Sequence, residues 1–172
     1  PEWIGAEEPY QLLKDRSDVL AFETDPLEDD TEVTGEVMIK LWVSSTASDT
    51  DFTVKLIDVY PMSDDYPEGY HLNLSDTILR ARYRNSWTDP EMMTPGEPAE
   101  VSITLWPTSS VFKKGHRIRL DISSSNFPRF DVNPNTGEPV GRHTHMLKAD
   151  NTIHTGADHP SRIVLPIIPA VE

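Results

Sequence analysis

Branched and aliphatic residues recur at every second position in six stretches of this chain, and each such stretch predicts a strand with one face turned to a core. Val37, Ile39, Leu41 and Val43 alternate with Met38, Lys40, Trp42 and Ser44. Phe52, Val54 and Leu56 repeat the pattern, as do Leu79, Ala81 and Tyr83 against Ile78, Arg80, Arg82 and Arg84. Val101, Ile103 and Leu105 form a fourth run; Ile118, Leu120 and Ile122 a fifth, against Arg117, Arg119, Asp121 and Ser123; Ile163, Leu165 and Ile167 a sixth. No stretch of comparable length has the 3.6-residue period of a helix.

Turn formers punctuate these runs: Asp25-Pro26, Asp64-Asp65 with Pro67 and Gly69, Asp89-Pro90, Pro95-Gly96 and Lys114-Gly115. Short strands joined by such breakers predict an all-β antiparallel sandwich. Residues 1–17 lack a clear period, with Trp3, Ile4, Tyr10, Leu12 and Leu13 scattered among acids, and read as an arm or linker ahead of one domain over residues 18–172. Residues 85–98 and 126–159 are expected as long loops, which on a rigid sheet are where binding surfaces sit.

Charge and composition narrow the function. A formal charge of −14 argues against binding nucleic acid or an anionic membrane, since phosphate neutralisation needs clustered Lys and Arg. With no Cys among 172 residues there is no disulfide framework, and no apolar run approaches a membrane span. The cellular location stays open, with a soluble, cytoplasmic one favoured. A start at Pro1 rather than Met suggests a cut fragment.

Catalytic chemistry finds no footing in the residues. No serine lies in the Gly-x-Ser-x-Gly elbow that exposes a nucleophile at a strand-to-helix turn, and no Cys replaces it. His143 and His145 would share a strand face and could join Asp150, His154 or His159 at a metal, but exposed loop histidines are the better account. The series Asp131, Asn133, Asn135 and Gly137 resembles a calcium loop, yet its glycine comes one place late and Arg142 stands where a bidentate Glu is needed, so a turn cluster is preferred. No catalytic residue, metal ligand or cofactor is therefore assigned. Arg80, Arg82 and Arg84 on one strand face, with Arg117 and Arg119 on another, are expected to pair with neighbouring acids; docking to another domain's carboxylates is the sharper alternative.

Several phrases in order carry a family resemblance: Asp18-Val-Leu, Pro26-Leu, Glu32-Val-Thr-Gly-Glu, Leu41-Trp-Val-Ser-Ser and the run from Asp49 to Pro61. Ile78-Leu-Arg-Ala-Arg-Tyr-Arg84, Phe112-Lys-Lys-Gly-His-Arg-Ile-Arg-Leu120 and Ser123-Ser-Ser-Asn-Phe-Pro-Arg-Phe130 complete the series. Together they resemble the C-terminal domain of the X-Pro dipeptidyl-peptidase and cocaine esterase family of serine hydrolases. The resemblance implies a galactose-binding-like jelly roll, a non-catalytic accessory domain that packs on the α/β-hydrolase catalytic domain of the same parent chain. It would stabilise that domain and help wall its substrate cleft, while homo-oligomerisation is left open. On that reading Phe127, Arg129 and Phe130, with Trp87, are the candidate docking or cleft-facing residues, although Phe127 or Phe130 folding back as a local plug is an equal alternative. An independent carbohydrate-binding sandwich is the competing function, resting on Trp3, Trp42, Trp87 and Trp106.

Overall fold

In the computed structural model, which describes residues 16–139 and 141–169, eleven strands and a single 3-10 turn account for the regular structure. The strands are β1 (Val19–Glu23), β2 (Thr31–Gly35), β3 (Met38–Ser45), β4 (Asp51–Tyr60), β5 (Tyr70–Arg80) and β6 (Ala99–Thr104). They continue with β7 (Thr108–Phe112), β8 (Arg117–Ser123), β9 (Asn151–His154), β10 (Arg162–Val164) and β11 (Ile167–Ile168). The expectation for residues 1–15 lies outside the described residues.

One layer is a four-stranded antiparallel sheet in the order β1-β8-β4-β5. In the other, β3 carries β6 on one edge and, on the opposite edge, β9 followed by β10. A third ladder, β11-β2-β7, continues this second layer, because β2 runs into β3, β6 into β7 and β10 into β11 through connections of two or three residues. The layer thus breaks on one line across its width. Pro107 and Pro166 sit in two of the breaks, where a missing N–H cannot continue a ladder. The third holds Gly35 at φ +136°, where an added Cβ would lie 3.2 Å from the Pro166 ring. The amide of Leu105 donates to the Val37 carbonyl at 2.9 Å and that of Thr34 to Pro166 at 3.0 Å, which stitches the line together.

This break corrects the expected single strand through Ile163, Leu165 and Ile167, which is two strands. The run from Ile78 to Arg84 is also not one strand. β5 ends at Arg80 and Ala81–Tyr83 form the 3-10 turn: the Ala81 amide still bonds the Thr50 carbonyl at 2.8 Å in the register of the ladder, but the Arg82 amide goes to the Asp49 side chain at 3.0 Å and the Arg84 amide to the Ala81 carbonyl at 3.2 Å. The three arginines therefore do not share a strand face. β9 interrupts the loop expected over residues 126–159, and His143 and His145 lie in a loop rather than on a strand.

The core lies between the layers. Ile39, Leu41 and Val43 of β3 meet Phe52, Val54 and Leu56 of β4, with Ile103 of β6 and Leu120 of β8, all nearly or wholly buried, as the period-two pattern requires. On β4 and β8 the alternation in burial is lost, because the outward-facing residues are covered as well. Thr53, Lys55, Ile57, Arg119 and Asp121 are all buried.

Candidate docking surface

The cover on the outer face of the four-stranded sheet begins with the register. Asp121, Lys55 and Asp76 stand side by side on β8, β4 and β5, one step out of phase with the inward Leu120 and Leu56. Arg119 sits wholly buried beside them, donates through Nε and Nη2 to Asp121 at 2.6 and 2.8 Å, and meets Nδ1 of His71 at 3.0 Å. The chain leaving β8 folds back onto this row. Asn126 accepts from Lys55 Nζ at 2.9 Å and donates to Asp76 at 2.7 Å, while Arg129 reaches Asp76 at 2.7 Å. Burial pulls the Lys55 ammonium below its ordinary value, and the nearby Asp76 carboxylate opposes that pull.

The two aromatics of this segment differ in exposure. Phe130 is half-buried, with the guanidinium of its neighbour Arg129 5.7 Å from its ring centroid. Phe127 stays 70% exposed at the tip.

Trp87 is presented from the same end of the sandwich. Asp51 is opposite Arg80, Thr53 opposite Ser123 and Ser45 opposite Asn151, so the connections after β3, β5 and β8 all leave the sheets there. Trp87 is 80% exposed on a tight turn in which Ser86 Oγ accepts from the amides of Thr88 at 3.3 Å and Asp89 at 3.1 Å. Arg84 and Asn85 both hold the Glu91 carboxylate behind it, Asn85 at 2.8 Å.

A second buried ionic group joins the bases of both loops. Asp49, in the connection between β3 and β4, accepts from the Arg82 amide at 3.0 Å and from its guanidinium at 2.8 Å. Arg82 also donates to the Glu138 carbonyl at 3.1 Å, and Asn133 Nδ2 bridges Asp49 at 3.0 Å and Asp51 at 2.8 Å. Arg80 closes the group with two bonds to Asp51 at 2.9 and 3.0 Å, and those bonds raise the Arg80 guanidinium above its ordinary value. The turn cluster of residues 131–137 thus feeds Asn133 into an ion network. A charge-assisted group of this kind in low dielectric holds loops in one geometry because leaving any member unpaired is costly.

Other sequence candidates stand elsewhere. His145 lies 3.8 Å from Glu138 and is exposed with His143. Trp106 is 71% exposed at the bend between β6 and β7, and Trp42 meets His159 edge-on at 4.6 Å on the second layer. The described tryptophans therefore form no shared platform of the kind a sugar-binding face uses. Trp3 lies outside the described residues. Among the described residues no three His, Asp or Glu side chains are grouped to hold a metal, and no helix is long and apolar enough to cross a membrane. The Asp49, Asp51, Arg82 and Asn133 group was not expected from the sequence. Its signal was present in two acids at alternate positions, Asp49 and Asp51, where the chain enters β4, and in a turn asparagine with no ligand to bind.

This two-layer antiparallel sandwich, with ion-paired loops at one end, is a domain of the jelly-roll class. The chain belongs to the family of X-Pro dipeptidyl-peptidase C-terminal non-catalytic domains, whose model matches residues 4–164. It is 49% identical over 158 residues to the cocaine esterase of Rhodococcus sp. strain MB1 Bresler, covering 91% of this chain and 26% of that enzyme. Among solved structures it superposes on an α-amino acid ester hydrolase with a TM-score of 0.87 and 34% identity, covering 92% of this chain and 27% of the other. An aminopeptidase from the marine sediment archaeon Thaumarchaeota archaeon matches with a TM-score of 0.88 and 33% identity, over 98% and 28% of the respective chains. The chain spans about a quarter of the length of these relatives.

Proposed function

We propose that this non-catalytic domain docks on an α/β-hydrolase catalytic domain of the same parent chain, stabilises it, and helps wall its substrate cleft with the end that carries Trp87 and Phe127. The carrying observation is that two large rings, 80% and 70% exposed, stand on loops tied at their bases to buried carboxylates, Asp49 by Arg82 and Asp76 by Asn126. Exposed aromatics cost solubility unless covered, and rigid ones lose little entropy on docking, which is why such side chains anchor interfaces. The parent's reaction on this reading is hydrolysis of an ester, amide or peptide acyl bond, since the relatives are named as esterases, an ester hydrolase and an aminopeptidase.

The test is the double substitution Trp87→Ala and Phe127→Ala, made both in the parent protein and in this chain alone. In this chain the unfolding free energy stays within about 0.5 kcal/mol of the unsubstituted value, as for exposed sites in general. In the parent, the melting temperature of the catalytic domain and kcat/KM both fall. A parent with unchanged stability and unchanged kinetics overturns the proposal.

A further inference from the structure

Two histidines remote from the Trp87 and Phe127 loops come together on the outer face of the second layer. His154 ends β9 opposite Trp42 of β3, so the two side chains share the outward face, and Glu100 of β6 stands on the other side of Trp42. His159 belongs to the loop that leads from β9 to β10. That loop folds back over its own strand. The His159 amide donates to the Gly156 carbonyl at 3.1 Å, and the Ser161 amide is shared between the carbonyls of His159 at 3.1 Å and His154 at 3.3 Å. Ser161 Oγ then accepts from the Trp42 amide at 2.8 Å, which ties the loop to β3. The His159 ring is thereby seated edge-on to the Trp42 indole at 4.6 Å, with its centroid 5.7 Å from that of His154.

Both rings are half-buried and both keep a nitrogen to offer. Ser44 Oγ lies 3.0 Å from Nε2 of His154, which leaves Nδ1 of that ring; among the described residues neither nitrogen of His159 has a hydrogen-bond partner. A metal–imidazole bond is about 2.0–2.1 Å and each nitrogen stands about 1.1 Å from its ring centre, so two imidazoles on one ion have centroids at most about 6.4 Å apart. The separation of 5.7 Å falls inside that reach. Imidazole donors suit zinc, nickel and copper, whereas calcium and magnesium require sets of oxygen ligands. A formal charge of −14 and the exposed Glu100 carboxylate beside Trp42 favour the approach of a cation.

We propose that His154 and His159 together bind one divalent transition-metal ion of the imidazole-preferring class on the outer face of the second layer, beside Trp42. The strand supplies one ligand and the folded-back loop the other, so the ion joins β9 to the loop of residues 155–161. Two protein nitrogens leave the remaining coordination positions to water. This pair is not the one suggested by His143 and His145, which lie in a different loop and are exposed. The inference is independent of which domain the Trp87 end meets.

Calorimetric titration of the 172-residue chain with nickel and with copper ions tests it, in a background where His143→Ala and His145→Ala remove the other exposed pair. One ion should bind per chain, copper more tightly than nickel, while calcium and magnesium give no heat beyond dilution. Adding His154→Ala or His159→Ala should each weaken that binding at least about tenfold. His159 lies on a loop, so its variant reads the site even where His154→Ala lowers stability. Tryptophan emission locates the ion by a second route: copper should quench it at saturation, and Trp42→Phe should remove most of that quenching. No saturable binding in the background chain, which would put any ion seen in the unsubstituted chain on His143 and His145, overturns the proposal. An affinity unchanged in His159→Ala, or quenching that survives Trp42→Phe in full, overturns it as well.

Discussion

Asp49 shows how much one buried carboxylate can hold. It is fully buried, and it receives the backbone and guanidinium of Arg82 and the amide of Asn133, from parts of the chain 33 and 84 residues away. Asp49→Ala would strand the Arg82 charge in a site it cannot leave, with an expected cost of about 3–5 kcal/mol in urea unfolding, and proteolysis should then cut the loops of residues 85–98 and 126–147 first. Asp58 supplies the pH dependence. Burial raises its carboxyl above the ordinary 3.8, against the opposing hydrogen bond and charge of His116 at 2.9 Å. The folded state then holds the proton more tightly than the unfolded one, so the stability this group contributes is full below the ordinary Asp value and is lost as pH rises through the raised one. Asp58→Asn removes that titration. The stability difference between variant and parent sequence should move in favour of Asn as pH climbs from about 4, and then level off, in urea unfolding at stepped pH.

The common break in the second layer is what bends three of the six alternating runs, those that begin at Val37, Val101 and Ile163. Three strands pass it together, and the crossing is tight at Gly35, where φ is +136° and a Cβ would press on Pro166 at 3.2 Å. Gly35→Ala is expected to cost about 1–3 kcal/mol, from backbone strain and the forced shift of Pro166. Gly115→Ala is the control, since at φ +84° it carries the strain but an added Cβ meets nothing within 4 Å. Thermal unfolding of the two variants separates the terms: the Gly35 variant should melt lower.

Expectation and structure part company at the strand ends. Ala81 and Tyr83 continue the period of Leu79, yet the chain turns there because the ladder's last bond is Ala81 to Thr50, after which the Arg82 amide goes to the Asp49 side chain and the Arg84 amide back to Ala81. A period-two pattern reports which side chains can share a face. It does not report where a hydrogen-bond partner from another strand runs out.

The domain as a unit has its core between two layers and, at one end, the exposed rings of Trp87 and Phe127. The chain belongs to a family of non-catalytic domains, and no nucleophile elbow occurs in its sequence. Purified alone, it should not release product from aminoacyl-proline or short-chain ester chromogenic substrates above a buffer blank, because its family's domains are non-catalytic and none of its serines stands in the elbow that presents a nucleophile. Turnover abolished by changing one of its own serines would contradict this.

Strand alternation, turn residues and motif order were sufficient for the all-β antiparallel class, for most of the core and for the family. These are local or order-dependent properties, written in the two-residue period and in the succession of short phrases. The arginines show what was not local. As a sequence, Arg80, Arg82 and Arg84 formed a stripe that could pair or dock; in the fold, Arg80 takes Asp51, Arg82 takes Asp49 and Arg84 takes Glu91, and the stripe is gone. The same holds for Phe127 and Phe130, alike in the chain but separated by whether Arg129 can reach both Asp76 and the ring. Which polar residue is buried, and which aromatic is left in water, depends on partners from distant strands. Tertiary structure decided those, because desolvating a charge is tolerated only where an opposite charge from elsewhere in the chain arrives to meet it.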